Sequence, residues 1–151
     1  MMGDQVTKSI IVKASVEDVY RIWSKFETFP MFMENVESVK MTGGDTSHWK
    51  VRGPMGATVE WDAFTTRLDP NQRVAWSTKD ADGDATVSGQ AVFAPLPDGE
   101  TQVTVTMHYE PKAGIAGDVV SKMFSHEEER LIQDLRNFKA YCEGMDERTT
   151  S

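Results

Sequence analysis

The chain has 151 residues, 39% hydrophobic and 26% charged, with a formal net charge of −8. That length suits one domain with a core of its own, and the acidic surplus excludes nucleic acid as an expected partner, because phosphates require a basic surface. It equally disfavours charge-driven adsorption to anionic lipid, so a membrane surface is not an expected partner.

The single cysteine, Cys142, excludes an intramolecular disulfide and any multi-cysteine metal site. It suits a reducing cytoplasm. No stretch approaches the ~20 apolar residues of a membrane span. The opening MMGDQVTKSIIVKAS lacks the basic start and long apolar run of a signal peptide. The expectation is a cytoplasmic single domain over residues 1–151, with its core at 5–143 and a flexible tail at 144–151. Nothing in the sequence indicates the oligomeric state.

In chain order, Val6, Ile10 and Val12 share one parity and predict a first strand. Ser15 is placed to cap a helix, with Asp18 three residues on. Val16, Val19, Tyr20 and Trp23 then fall on one helical face. Pro30, in FETFPMFM, allows at most a new short helix there. From Val36 to Glu110 the apolar period becomes two. GGD at 43–45, DPNQ at 69–72, DADGD at 80–84 and LPDGE at 96–100 mark turns between about six antiparallel strands. Pro70 sits where a type I turn favours it. After Pro111 a small-residue break, KAGIAGD, leads to a long helix. Its apolar stripe is Val120, Phe124, Leu131, Leu135, Phe138 and Cys142, and Gly144 is placed to end it.

This order predicts an α+β fold, a curved antiparallel sheet of about seven strands wrapped around a long C-terminal helix. A sheet curved round one helix leaves a space between them, which is a natural ligand pocket.

The segment VEWDAF at 59–64 admits two readings. Glu60 and Asp62 are i and i+2 on a strand, roughly 6.5–7 Å apart, the separation scale of paired catalytic carboxylates. Alternation argues otherwise. Val59, Trp61 and Ala63 share the apolar parity, as do Trp49 with Val51, and Val74 with Trp76. Val87, Gly89, Ala91 and Phe93 form another such set, and Val103, Val105, Met107 and Tyr109 a fourth. Trp61 therefore faces inward and the carboxylates face water, unless a bulge between Val59 and Phe64 reverses the parity.

The segments VYRIWSKFETFPMFMENVESV, HWKV, VEWDA, VAWST, GQAVF and DLRNFKAYCE, in this order, resemble the bacterial SRPBCC proteins. More narrowly, they resemble the cyclase/dehydrase-like, polyketide-cyclase-type branch of the START and birch-pollen-allergen superfamily. The resemblance spans residues 5–143. It implies the helix-grip fold and a cavity for a hydrophobic or aromatic small molecule between sheet and C-terminal helix. It carries no invariant catalytic signature. Some START-type proteins bind coenzyme Q, which makes a lipid or quinone chaperone a third reading beside a binding protein and a cyclase/dehydratase.

The expected ligand-binding set is Phe32, Trp49, Val51, Val59, Trp61, Trp76, Phe93, Met107, Tyr109, Met123 and Phe124. Aromatics supply rigid apolar surface and methionine adapts to varied shapes. For an enzyme, Tyr109 is the candidate acid/base by parity. His108, Arg52 and Asp62 qualify only through local bulges. A chaperone would show an apolar patch near Met31, Phe32, Met33 and Ile115. The segment GIAG at 114–117 is a candidate hinge, although a loop that simply turns the chain is the stronger reading.

No metal or cofactor is expected. HEEER at 126–130 has Arg130 where a zincin needs its second histidine. His48 and His108 show no carboxylate fixed beside them in sequence. DADGDA at 80–85 misplaces the calcium-loop glycine and has Ala91 where the bidentate glutamate belongs. Cys142 lies on the apolar helix stripe and is expected to be a packed thiol.

Overall fold

The computed structural model describes residues 4–52, 58–78, 85–111 and 127–150, with side chains over 5–52, 58–78, 88–108 and 129–144. Strand β1 (Asp4–Val12) buries Val6 and Val12. The chain turns at Ser15, whose hydroxyl accepts a hydrogen bond from the Asp18 N–H at 3.2 Å and so caps helix α1 (Val16–Trp23). Val19 and Trp23 on the inner face of α1 are fully buried. Pro30 is accommodated in a 3₁₀ turn (Phe26–Met31), where Phe26 and Phe29 point into the core.

Six strands follow: β2 (Val36–Met41), β3 (Thr46–Arg52), β4 (Thr58–Asp69), β5 (Arg73–Thr78), β6 (Ala85–Pro95) and β7 (Thr101–Pro111). All neighbours pair antiparallel, in the order β1-β7-β6-β5-β4-β3-β2. Helix α2 (Glu127–Thr150) covers the apolar face with Leu131, Leu135, Phe138 and Cys142, all buried. Lys139 Nζ donates to the Ile11 carbonyl, and Glu143 accepts from the Lys13 N–H at 2.9 Å, fastening α2 to the end of β1. The result is the expected α+β helix-grip fold, with seven strands curved around the C-terminal helix.

Two local expectations are corrected. Helix α2 does not stop at Gly144 but continues to Thr150. Gly144 is not in the left-handed conformation a terminating glycine adopts, and one interior glycine costs a helix only about 1 kcal/mol. The turn at residues 69–72 is not type I. Its Gln72 N–H bonds the Asp69 carbonyl at 2.9 Å, but Asn71 has φ 62°, and a positive φ at the third position belongs to type II. The loops at residues 80–84 and 114–117 lie outside the described residues.

Candidate functional site

The inner parities of β3, β4, β5 and β7 converge, with α1 and the 3₁₀ turn, on a cavity of about 110 Å³ beneath α2. Its floor is buried and apolar: Trp23, Phe29, Trp49, Val51, Trp61, Trp76, Val105 and Leu131. All four tryptophans of the chain stand in this wall. Trp49 and Trp61 are directly opposed in the β3–β4 register. Trp23 packs edge-on to Phe138 at 4.9 Å and to Phe29 at 5.3 Å, and lies 6.2 Å from Trp76, centroid to centroid. The half-buried rim is Met33, Asn35, Val36, Met107, Arg130 and Asp134.

A glycine shapes this wall. Gly89 pairs with Trp76 on one side and Met107 on the other. A Cβ there would lie 2.7 Å from Trp76 Cζ2, 2.8 Å from Met107 Sδ and 2.9 Å from the Thr106 carbonyl oxygen. Only a missing side chain lets the two cavity residues close over β6.

The cavity also has polar groups. Burial pushes the Asp134 carboxyl up to about 7, against the pull of the Arg130 guanidinium one turn earlier, with Glu34 adding to the rise. Trp49 Nε1 donates to the buried Ser47 hydroxyl at 2.9 Å. The Trp23 indole N–H, fully buried, meets no acceptor among the described residues.

Of the expected ligand-binding set, the cavity wall contains Trp49, Val51, Trp61, Trp76 and Met107. Three others face inward but away from it. Phe32 packs on Phe138 and Tyr141 at 5.1 and 5.5 Å. Phe93 meets Tyr20 at 5.9 Å. Val59 is buried in the core. Inward parity says only that a residue faces α1 or α2, and near Phe93 that partner is α1. The Tyr109 side chain, Met123, Phe124 and Ile115 lie outside the described residues. Trp23, Phe29, Met33, Asn35, Val36, Val105, Arg130, Leu131 and Asp134 complete the wall, although Trp23, Val105 and Leu131 read only as core.

The expectation that no carboxylate stands beside a histidine is overturned at His48. Antiparallel pairing places Asp62 directly opposite His48, with Glu60 on the same outer face. His48 Nδ1 lies 2.7 Å from Asp62 Oδ1 and Nε2 lies 2.8 Å from Glu60 Oε1. The VEWDAF carboxylates therefore face water and grip an imidazole rather than each other. Hydrogen bonds from Glu60 and then Asp62 raise the His48 pKa. The two carboxylates take opposite ring nitrogens, so the trio is no chelate, and no three-residue metal cluster occurs among the described residues.

The bulge in β4 falls between Thr65 and Arg67, beyond this segment. Asp62 and His108 consequently stay on the outer face, and Arg52 spends its guanidinium on the Glu34 carbonyl. The Met31–Phe32–Met33 patch is also smaller than expected. Met31 is 68% exposed, but Phe32 is buried and Met33 turns into the cavity rim. Cys142 is buried, and burial raises its thiol to about 12.

A seven-stranded sheet gripping a C-terminal helix over an aromatic cavity is the helix-grip arrangement of START-type, SRPBCC proteins. The chain belongs to the polyketide cyclase / dehydrase and lipid transport family, which it matches over residues 12–136. It is 32% identical, over 96% of its length and 93% of the relative's, to an uncharacterised 17.2 kDa protein of Streptomyces lincolnensis. Among solved structures it resembles a START superfamily protein of Mycobacterium smegmatis, with a TM-score of 0.74 at 19% identity, covering 93% of this chain and 98% of that one. It also resembles the Zhui aromatase/cyclase of a Streptomyces species, with a TM-score of 0.73 at 16% identity, covering 93% and 94%. At those identities the structural likeness speaks for the fold alone. No helix among the described residues is long and apolar enough to cross a membrane.

Proposed function

We propose that the protein binds a small hydrophobic or aromatic molecule in the cavity between sheet and α2. The supporting observation is the gathering of all four tryptophans into one cavity wall. Trp49, Val51, Trp61, Trp76 and Met107 would contact the ligand directly, and burial of its apolar surface would supply the affinity. The reading places the protein in the cytoplasm, as one domain, in keeping with its single cysteine, which is buried.

Native mass spectrometry of protein purified from its own host tests this. The expected result is a retained small apolar molecule that is lost on Trp61→Ala. A protein that carries no such molecule, and whose cavity takes up none of a panel of aromatic compounds, would refute it.

A second reading, a cyclase or dehydratase, draws support from the titratable Asp134 at the rim, since such chemistry needs a positioned acid or base. Turnover of an aromatic polyketide mimic that Asp134→Asn abolishes would favour it. Absence of turnover by the intact protein would remove it.

A further inference from the structure

The outer face of the sheet, away from the helices, carries an open groove of about 320 Å³. Strand register explains its shape. One rung across β4, β5, β6 and β7 places Phe64, Ser77, Ser88 and His108 side by side. The next places Arg67, Ala75, Gln90 and Thr106 in line. These residues have the parity opposite to Trp76, Gly89 and Met107, so they face outward. In the first rung two serines lie between two rings, whose backbones are three strand spacings, roughly 14 Å, apart. Small Ala75, Ser77 and Ser88 form a floor, and Phe64, Gln90 and His108 rise around it. The pairing of β4 with β5 shifts between Thr65 and Arg67, which leaves Thr66 as the extra residue of a bulge at the groove's edge.

The lining is polar and without formal charge in a chain that is 26% charged. It offers the hydroxyls of Thr66, Ser77, Ser88 and Thr106, the Gln90 amide and the His108 imidazole, and no Asp, Glu, Lys or Arg side chain. The charges of this face gather elsewhere, on β3 and β4, where Lys50 stands opposite Glu60 and His48 opposite Asp62. An ionic ligand would find no counter-charge in the groove. An apolar one would strip water from these groups and return no hydrogen bond. Hydroxyls and amides both donate and accept, so they match a ligand whose groups do the same. Thr106 Oγ1 lies 3.1 Å from Thr7 Oγ1, which steadies one of the hydroxyls and leaves it further lone-pair capacity. Phe64, half-buried, adds an apolar ring at one end.

We propose that this groove is a binding site for a neutral saccharide. Its hydroxyls pair with Ser77, Ser88, Gln90 and Thr106, and the C–H face of a sugar ring packs on Phe64. The site lies on the other side of the sheet from the aromatic cavity and does not depend on what that cavity holds. Each net hydrogen bond in so open a site contributes little, so a dissociation constant of about 1–10 mM is expected.

The test is an amide NMR titration of the protein with maltose, cellobiose, lactose and trehalose, each to ~100 mM, well above that constant. At least one of them should give saturable shifts at the amides of Ser77, Ser88, Gln90, Thr106 and His108, and leave those of Val51 and Leu131, in the cavity wall, in place. Cyclohexanol, a six-membered ring without the set of hydroxyls, should give no saturable shift. Gln90→Ala and Phe64→Ala, both at outward positions, should each weaken binding about fivefold. Ser88→Gln, which fills the floor, should abolish it. The amide spectrum of each variant reports its fold directly.

Absence of saturable shifts with all four disaccharides overturns the proposal, and the wild-type protein alone decides that point. So do shifts confined to the cavity wall, a response to cyclohexanol equal to that of the sugars, or affinity unchanged in both Gln90→Ala and Phe64→Ala.

Discussion

Gly89→Ala offers a sharp test of the cavity wall. An alanine Cβ at this position must fit within 2.7–2.9 Å of Trp76 Cζ2, Met107 Sδ and the Thr106 carbonyl oxygen. The first two belong to side chains that can shift, but the third is backbone held in the β6–β7 ladder. Overpacking of this kind costs about 1–3 kcal/mol. Removing a glycine from the unfolded chain returns roughly 0.4–1 kcal/mol. The net expectation is a loss of about 1–2 kcal/mol. At about 2–4 °C per kcal/mol for a chain of this size, Tm should fall by about 2–8 °C. Calorimetric melting measures this directly. Gly44→Ala is the control, because a Cβ there has nothing within 4 Å and should leave Tm nearly unchanged. Since Trp76 and Met107 both line the cavity, Gly89→Ala should also change binding of any aromatic probe. A Gly89→Ala protein as stable as wild type would refute the claim that these walls close over a bare backbone.

Four further outcomes are expected. Trp61→Ala should cost about 3–5 kcal/mol in urea unfolding and weaken aromatic binding; a variant unchanged in both would show that Trp61 does not build the cavity. Asp134→Asn should become more stable than wild type by about 1–3 kcal/mol above pH 7. The sign follows from a folded carboxyl raised to about 7 from 3.8: wild-type stability falls as pH climbs between those values, the variant's does not, and the curves should merge toward pH 4. His48, raised by its two carboxylates, contributes stability that is complete below pH 6.5 and lost as pH rises through its folded value. The trio is largely exposed, so His48→Ala should cost no more than about 1 kcal/mol at pH 6, and NMR titration should show the His48 pKa fall in both Glu60→Gln and Asp62→Asn. Cys142 should resist a thiol reagent at pH 8 until urea unfolds the protein; rapid native labelling would contradict its burial.

Strand parity made Trp49, Trp61 and Trp76 of the wall legible, because a half-buried sheet must alternate and these strands do so cleanly; Trp23, on α1, read only as core. Parity could not separate cavity from core. Phe93 and Val59 face inward like Trp61, and which of them borders empty space depends on where α1 and the 3₁₀ turn fill the concave face. Asp134 escaped notice for another reason. Leu131, Leu135 and Phe138 were enough to define the inner face of α2, and a carboxylate among them reads as ordinary helix polarity. The available signal was its spacing, one turn from both Leu131 and Phe138. The His48 clasp depends on β3–β4 register, since the three residues lie within two separate strands and only pairing makes them neighbours. Asn71 shows the limit of turn chemistry, because Pro70 suits the second position of both type I and type II turns.

The gathering of the tryptophans has a spectroscopic consequence. Every indole in the chain stands in the wall of one cavity, so the tryptophan emission of the protein originates around a single compartment. An absorbing or quenching guest would lie within a few ångströms of all the emitters at once, and no distant indole would dilute its effect. The folded protein thus carries an intrinsic optical gauge of its own occupancy, readable without label or immobilisation.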